Sequence, residues 1–249
     1  MAACDLRLSA CRAHSRGRLV WAVGASAVLL AVALTTRHIR RIEAALATSE
    51  REVSSKRLHV LHDVLDADVL AAVTEAARSA PFVRRSTPMR DGEAVSSHTL
   101  RGTPALRVVL DAIRDSAFVA RVHADTGMRL QLVPRTDENS ISVLRYSKRG
   151  DGIDAHRDGS VYIGSRWAGI LVLADDGDAS LVVDGVTLPT QPPNTLLLFE
   201  GDVSEHRVTR RTRDGERLVL NVLLCDVCAP KTDVWSKMWS SLVSHAAFY

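Results

Sequence analysis

Three residues in the second half of the chain have the types and the spacing of a metal site. His156 and Asp158 are separated by one residue, and His206 follows later in the chain. On a strand, His156 and Asp158 would share a face, because alternate residues of a strand point to the same side. Two imidazoles and one carboxylate form the facial triad that holds non-haem Fe(II) and leaves positions open. The pattern therefore predicts an iron site built from these three residues.

A basic residue beyond His206 could hold an acidic cosubstrate next to such a metal. Arg217 opens a strongly apolar run, and the Asp214-Gly215 pair just before it is typical of hairpin turns. We therefore expect the chain to return alongside His206. A guanidinium pairs bidentately with a carboxylate, and open metal positions can take up a 2-oxo acid. Together these features predict 2-oxoglutarate as the cosubstrate, with Arg207 and Arg210 as the alternative carboxylate partners.

Each of these features also has an ordinary structural interpretation. A strand histidine such as His156 can be a buried residue with satisfied hydrogen bonds, and Arg217 can be a surface charge. A His-x-Asp pair is common by chance. The combination nevertheless favours a site, because the residues occur in the required order with glycine turns and apolar strands between them.

Three stretches of the sequence resemble the iron(II)/2-oxoglutarate-dependent dioxygenases, and within them the prolyl 4-hydroxylase-like branch. Residues 59–73 (HVLHDVLDADVLAAV) resemble the opening strand and helix of that branch. Residues 142–159 (SVLRYSKRGDGIDAHRDG) resemble its tyrosine, glycine turn and first ligand strand. Residues 196–224 (LLLFEGDVSEHRVTRRTRDGERLVLNVLL) resemble its closing strands.

The resemblance implies a fold, a set of ligands and a reaction. The fold is a double-stranded β-helix, and the implied iron ligands are His156, Asp158 and His206. The implied cosubstrate residues are Arg217 for the distal carboxylate of 2-oxoglutarate and Tyr146, which matches a tyrosine that reaches the cosubstrate in relatives. Asn221, four residues after Arg217, is expected on the same strand face, where it would assist. Fe(II), 2-oxoglutarate and O₂ would be required, with ascorbate as an optional reductant, and succinate would form as a C–H bond is hydroxylated. Halogenation is disfavoured, because relatives that halogenate leave the position of Asp158 free for halide.

The substrate that this branch suggests is a peptidyl residue such as proline. The sequence departs from the branch at Val172 and Ala174, where an aromatic residue and an asparagine would usually stand. Two alternatives therefore stay open: hydroxylation of a small molecule or another side chain, and a non-catalytic β-helix binding module. An open groove with polar edges would favour a peptide, and a closed pocket would favour a small molecule.

A group of helices is predicted before the strands that carry the site. Residues 59–65 alternate between apolar and polar like a strand, and residues 84–101 are predicted to form a polar loop. Asp66 offers N-cap chemistry for the first helix. Helices are predicted at 69–80, 104–114 and 116–126.

Beyond Met128 the chain consists of short runs rich in Val, Leu and Ile, separated by Gly, Asp, Pro or Asn. Residues 161–163 (VYI) are one of these runs. Closely spaced strands without helices between them predict an antiparallel sandwich or barrel. We therefore expect a mainly β (α+β) dioxygenase domain over 59–230, with a jelly-roll or cupin-like core.

The first 58 residues differ in composition from the rest of the chain. Residues 19–36 (LVWAVGASAVLLAVALTT) are uncharged and lie near the lower limit of length for a helix that crosses a bilayer. Residues 1–18 are interpreted as a short basic tail, and residues 37–58 are predicted to form a charged helical stalk. We expect a single-pass signal anchor with a cytosolic N terminus and a lumenal catalytic domain in the endoplasmic reticulum or Golgi. A cleaved signal peptide and a mitochondrial presequence are the alternatives.

The charge distribution excludes nucleic acid as a partner. Residues 1–60 hold ten of the 32 Lys/Arg and four of the 29 Asp/Glu, a net charge of +6. The remaining 22 basic and 25 acidic residues give the body of the chain a net charge of −3. The predicted domain therefore lacks the excess of positive charge that nucleic-acid binding needs.

Two features follow the last predicted strand. Cys225 and Cys228 form a C-x-x-C motif, which we interpret either as a short-range disulfide or as two packed thiols. Residues 231–249 are predicted to form an amphipathic helix that packs on the domain. Neither feature is expected to take part in catalysis.

Overall fold

A computed structural model describes residues 58–86, 90–137 and 139–231. Within these ranges no helix is long and apolar enough to cross a membrane. Three predicted segments lie outside the described residues: the tail with the membrane segment 19–36, the stalk up to residue 57, and the C-terminal helix beyond residue 231.

The described residues form four α-helices, one 3₁₀ turn and twelve strands. The helices are α1 (Ala67–Arg78), α2 (Ser97–Gly102), α3 (Arg107–Arg114) and α4 (Ser116–Thr126), with the 3₁₀ turn at Pro104–Leu106. The first six strands are β1 (Leu58–Leu61), β2 (Val83–Ser86), β3 (Arg90–Val95), β4 (Gln131–Leu132), β5 (Ile141–Tyr146) and β6 (Gly152–His156). The last six are β7 (Arg166–Asp175), β8 (Leu181–Val183), β9 (Val186–Thr187), β10 (Leu196–Glu200), β11 (His206–Val208) and β12 (Arg217–Cys225).

The described strands belong to one antiparallel sheet that curls on itself. Its order is β1-β10-β7-β12-β5-β3-β6-β11-β8-β9, while β2 pairs with β3 and β4 pairs with β12. Early and late strands of the chain alternate along this path, as they do when a sheet winds into two facing layers. The mainly β fold is confirmed, and the curled sheet is consistent with a jelly-roll or double-stranded β-helix.

The main core lies between the helices and the layer that contains β7, β12 and β5. Leu218 and Leu220 of β12 point toward the helices, because alternate residues of a strand share a face. Val219 lies on the opposite face, in a cluster inside the barrel. Every residue of β12 is therefore buried. The helical side of the core is made by apolar residues that include Val73, Val109, Ile113, Phe118 and Val122.

Several local predictions are wrong. The segment 84–101 is not a loop, because it contains the hairpin of β2 and β3 and the start of α2. The sequence of β2 has no apolar face that would indicate a strand, because this strand is largely exposed. Residues 161–163 form no strand, and Tyr162 makes an isolated bridge instead. The strand predicted at 59–65 ends at Leu61.

The hairpin predicted at Asp214-Gly215 is also absent. Strand β11 pairs with β6 and β8, whereas β12 pairs with β4, β5 and β7. The chain therefore crosses from one layer of the barrel to the other between His206 and Arg217. A turn signal in the sequence shows where the chain reverses but not which strand it joins.

Hydrogen bonds join the loop after β7 to the loop that precedes β12. The carboxylate of Asp176 accepts hydrogen bonds from both terminal nitrogens of Arg211, at 3.0 and 2.5 Å. It also accepts the backbone N–H of Glu216 at 3.0 Å. A Cβ at Gly215 would collide with the same carboxylate, so this close approach requires glycine. These contacts fix the backbone from which Arg217 starts.

Cys225 and Cys228 form a disulfide at the end of β12. Of the two interpretations of the C-x-x-C motif, the structure therefore contains the disulfide. Backbone hydrogen bonds join residues 227–231 to residues 161–164. The segment beyond β12 thus holds the loop that follows Asp158.

The salt bridge between Asp176 and Arg211 should make the stability of the fold depend on pH in the acid range. Chiefly through the hydrogen bonds from Arg211, the pKa of Asp176 is lowered to about 2. A lowered pKa stabilises the fold above the unfolded value of about 4 and loses that effect as the pH falls toward 2. We expect Asp176→Asn to lower the melting temperature at neutral pH by about 5 °C, because it leaves a buried guanidinium with weaker partners.

The measurement is thermal melting of both proteins between pH 7 and pH 2. The gap between wild type and Asp176→Asn should narrow as the pH falls from 4 to 2, whereas Glu75→Gln on the exposed face of α1 should show no such convergence. A gap that stays constant over this range would contradict the role given to Asp176.

Candidate metal centre

His156 and His206 lie directly opposite each other on neighbouring strands. His156 ends β6, His206 begins β11, and the two are register partners. Opposite residues of an antiparallel pair project to the same face, and the two ring centroids are 4.2 Å apart. Oδ1 of Asp158, two residues past β6, lies 3.9 Å from Nε2 of each imidazole. The structure thus brings the three predicted ligands together, with one donor atom from each within 4.8 Å of the others.

The backbone orients both imidazoles in the same way. Nδ1 of His156 lies 2.8 Å from the carbonyl oxygen of Asp154, and Nδ1 of His206 lies 3.0 Å from that of Ser204. Because a carbonyl accepts hydrogen bonds, each Nδ1 carries the proton and each Nε2 keeps its lone pair for a metal. Metal-bound histidines are commonly oriented in this way by a second hydrogen bond.

The surroundings favour the protonation states that metal ligation requires. Burial is the largest effect on His156 and lowers the pKa of its imidazole, and His206 acts in the same direction. Burial opposes ionisation of Asp158, but Arg166, His206 and His156 together outweigh it and lower the pKa of the carboxyl. Neutral imidazole and ionised carboxylate are the forms that bind a metal.

Gly201 and Arg166 lie next to Oδ2 of Asp158, the carboxylate oxygen that does not face the imidazoles. The N–H of Asp158 donates to the carbonyl of Gly201 at 2.7 Å, and the N–H of Gly201 donates to that of Arg166 at 2.8 Å. A Cβ at Gly201 would lie 2.5 Å from Oδ2 of Asp158, so a larger residue would displace the carboxylate. The buried guanidinium of Arg166 places Nε 3.9 Å from the same Oδ2. Oδ2 is therefore confined, while Oδ1 faces the imidazoles.

Two of the predicted cosubstrate residues, Arg217 and Tyr146, lie in a row with Asp175 across the inner face of the barrel. Asp175, Arg217 and Tyr146 are register partners on β7, β12 and β5. Arg217, which is 3 % exposed, makes a salt bridge with Asp175 and also donates to the carbonyl of Ala179 at 3.3 Å. The predicted anchor for 2-oxoglutarate is therefore already paired with a carboxylate of its own chain. Burial, the largest effect, raises the pKa of Tyr146, so its phenol stays protonated.

Asn221 lies on the same inner face, between Ser142 of β5 and Ile170 of β7. Asn221 and Ser142 are 5 % and 8 % exposed. Ile170 is only half-buried, although its strand lies between two others. Since a central strand is normally covered, this exposure indicates that the barrel interior is open to solvent at this level. Asn221 thus faces a space that a ligand could enter.

Four residues that shape this region carry no strong signal in the sequence. Gly201 and Asp175 look like ordinary turn residues, and Arg166 looks like a surface charge. Arg90, also buried, falls in the stretch that was predicted to be a loop. The alternation of small residues after Arg90, at Gly92 and Ala94, is the one signal that could have revealed an inner strand face.

The donor set fits a divalent transition metal of the iron type. Two imidazole nitrogens and one carboxylate oxygen suit Fe(II), and the set contains no thiolate. Three protein ligands leave coordination positions for a cosubstrate and O₂. The hydrogen bond at Nδ1 of each histidine orients its imidazole, as is common for histidines that bind a metal.

No protein-family model and no curated protein matches the sequence. Solved structures do match. A 2OG-Fe(II) oxygenase family oxidoreductase from Burkholderia pseudomallei is 15 % identical, with a TM-score of 0.57 over 76 % of this chain and 94 % of that chain. The epimerase SnoN in complex with Fe³⁺, α-ketoglutarate and nogalamycin RO is 15 % identical, with a TM-score of 0.54 over 78 % and 90 %.

A third match is a prolyl hydroxylase from Trichoplax adhaerens in complex with a hypoxia-inducible factor peptide fragment. It is 14 % identical, with a TM-score of 0.51 over 83 % of this chain and 96 % of that chain. At such identities the similarity establishes the fold. The fold is that of the 2OG-Fe(II) oxygenases, in agreement with the resemblance seen in the sequence.

The support from Gly201 should be measurable as metal affinity. We expect Gly201→Ala to weaken Mn(II) or Fe(II) binding by about 10- to 100-fold, because the added methyl group displaces the Asp158 carboxylate. Anaerobic titration calorimetry is the measurement. Gly102→Ala is the matched control, since a Cβ there meets nothing within 4 Å. Equal metal affinity in both variants would show that Asp158 tolerates the methyl group.

Proposed function

We propose that the protein is an Fe(II)- and 2-oxoglutarate-dependent oxygenase that hydroxylates a C–H bond. The observation that carries the proposal is the convergence of His156, Asp158 and His206 with both imidazole tautomers set for ligation. Two proteins that share the fold support it: the 2OG-Fe(II) oxygenase family oxidoreductase, and the epimerase SnoN in complex with Fe³⁺ and α-ketoglutarate. When bound, Fe(II) supplies the O₂ chemistry that couples decarboxylation of 2-oxoglutarate to hydroxylation.

The residues of the chain bind and orient the reactants. His156, Asp158 and His206 would hold iron through one face and keep its other positions accessible. The protonated phenol of Tyr146 can donate a hydrogen bond to an anionic cosubstrate, and the Asn221 amide can donate and accept. The buried aliphatic side chains of Leu144 and Val219 inside the barrel would limit the access of water to the cosubstrate from their side.

For the substrate, we propose a peptidyl residue such as proline. The similarity of the fold to a prolyl hydroxylase that binds a peptide fragment supports this choice. The epimerase SnoN, whose complex contains nogalamycin RO, supports a small-molecule substrate as the second candidate. Val172 and Ala174 are aliphatic, whereas the prolyl hydroxylase-like branch usually has an aromatic residue and an asparagine at these positions. The two substrate classes are therefore tested directly.

We also propose that residues 19–36 anchor the protein in a membrane of the secretory pathway with the oxygenase domain in the lumen. The uncharged run with basic flanks supports an anchor. The disulfide between Cys225 and Cys228 supports an oxidising compartment, because such bonds are rare in the cytosol.

If residues 19–36 anchor the protein, the full chain should stay in the membrane fraction after alkaline carbonate washing, and a variant without residues 19–36 should not. Release of the full chain by carbonate would contradict the anchor.

The catalytic proposal predicts turnover that depends on the metal ligands. The purified protein with Fe(II), O₂ and 2-oxoglutarate should release succinate, and His206→Ala should reduce the rate by at least about 100-fold, because two ligands hold iron poorly. His123→Ala on the exposed surface of α4 is the control and should keep the wild-type rate. Undiminished succinate release from His206→Ala would contradict the metal assignment.

The same assay separates the substrate classes. A proline-containing peptide panel should raise succinate release above the uncoupled rate and gain one oxygen atom per succinate formed. Stimulation by small molecules and not by peptides would favour the second candidate. A wild-type protein that binds 2-oxoglutarate but releases no succinate under any condition would favour a non-catalytic binding module.

A further inference from the structure

The loop that joins Asp158 to β7 has both its ends next to the candidate metal centre. Residues 159–165 begin directly after the ligand Asp158 and end before Arg166, the first residue of β7. Nε of Arg166 lies 3.9 Å from Oδ2 of Asp158, and Nη1 of Arg166 donates to the carbonyl oxygen of Gly159. A change in the path of this loop would therefore move the ligand and the guanidinium beside it.

Backbone hydrogen bonds join this loop to the segment that follows β12. The N–H of Ile163 donates to the carbonyl oxygen of Ala229 at 2.9 Å. The N–H of Gly164 donates to that of Val227 at 3.1 Å. Lys231 donates to two carbonyl oxygens of the loop, from its N–H at 2.8 Å and from its Nζ at 3.1 Å. The path of the loop thus depends on the path of residues 227–231.

The disulfide fixes the part of that segment that lies closest to the loop. Cys225 and Cys228 close a turn in which Asp226 and Val227 are the two middle residues. A Cβ at Gly164 would lie 1.9 Å from Oδ1 of Asp226 and 2.6 Å from the amide nitrogen of Val227. The turn and the loop therefore pack against each other without space between them, and a change in the turn is transmitted to the loop.

A thiol reductant can reach one of the two sulfurs. Cys225 is 0 % exposed, whereas Cys228 is only half-buried. The thiolate of a dithiol attacks Sγ of Cys228, the S–S bond breaks, and Cys225 leaves and takes up a proton. The second thiol of the reductant then releases Cys228 as a thiol. The protein gains two electrons and two protons, and the dithiol is oxidised to its own disulfide.

We propose that the Cys225–Cys228 disulfide is a redox-sensitive site that controls the metal affinity of the centre at Asp158. In the oxidised protein the closed turn holds the loop. In the reduced protein the turn gains conformational freedom, the hydrogen bonds of the loop open more often, and metal binding must order the loop again. The cysteines have a positioning role, because they act through the loop. Since the site acts on the same metal centre, this proposal rests on the proposed function.

The effect should be local. A disulfide that closes a short turn constrains the unfolded chain less than one that closes a long loop, so reduction should leave the fold intact. Tyr162, in the middle of the loop, has its own anchor, because its hydroxyl donates to Asp137 at 2.8 Å. Reduction should therefore loosen the loop without displacing it completely.

Mn(II) binding to the two redox forms of the full chain tests the proposal. Cys4→Ser and Cys11→Ser leave Cys225 and Cys228 as the two cysteines of the chain. Reduction with dithiothreitol, followed by its removal under anaerobic conditions, should weaken Mn(II) about tenfold in titration calorimetry. Reoxidation by oxidised glutathione should restore the affinity. Cys228→Ser in the same chain is the control, and it should show the weaker affinity before and after the same treatment.

Two further readouts distinguish a positioning role from general destabilisation. Hydrogen exchange should become faster at the amides of Ile163 and Gly164 on reduction and stay unchanged in the core of α3. Because coupling is reciprocal, a tenfold loss of Mn(II) affinity requires that saturating Mn(II) lowers the midpoint potential of the disulfide by about 30 mV. Equal Mn(II) affinity in the two redox forms, or faster exchange throughout the core, would overturn the proposal.

Gly164→Ala tests the contact without changing a cysteine. The added methyl group pushes the loop away from the turn, so the oxidised variant should bind Mn(II) more weakly and lose most of its dependence on reduction. A Gly164→Ala variant with the affinity and the redox dependence of wild type would contradict the transmission through this contact. A chain that binds no Mn(II) in either redox form would contradict the proposed function itself. Equal binding in both forms together with succinate release would overturn only the redox site.

Discussion

The register of β6 against β11 is the constraint on which the candidate site depends. His156 and His206 are direct register partners, although the register of these two short strands shifts between His206 and Val208, and a slip of one residue at His206 would turn one imidazole to the outer face. Close contact enforces the alignment, since a Cβ at Gly152 would lie 2.9 Å from the carbonyl oxygen of Val208. The turn before β6 is fixed as well: the buried carboxylate of Asp151 accepts the backbone N–H groups that precede it, at 2.8 and 2.9 Å.

Asp158 completes the site through a different part of the barrel. It lies beyond the end of β6, where strand pairing no longer holds it, and the turn after β10 takes over this task through Gly201. The glycine supplies a backbone carbonyl and leaves space for the carboxylate, while Arg166 adds a positive charge behind it. Two strands and one turn thus converge on a point, and the helices contribute only by packing behind the larger layer.

Much of this arrangement could be predicted from the sequence. The His-x-Asp pair, the later histidine and the short apolar runs indicated the ligands and the mainly β fold, because strand periodicity and ligand spacing are local features. Which strand joins which is not local, so Asp214-Gly215 was a poor guide to the position of β12. The salt bridge between Asp175 and Arg217 depends on the pairing of β7 with β12, and no short-range pattern encodes it.

We expect one Fe(II) ion held by His156, Asp158 and His206 to bind a 2-oxo acid directly. The most direct measurement is the visible absorption of the protein during anaerobic titration with Fe(II) and 2-oxoglutarate. We expect a charge-transfer band of the iron–2-oxo acid chelate that saturates at one Fe(II) and one 2-oxoglutarate per chain and is absent from Asp158→Ala. A wild-type protein that binds both Fe(II) and 2-oxoglutarate without this band, or an Asp158→Ala variant that keeps the band, would contradict an iron site at these three residues.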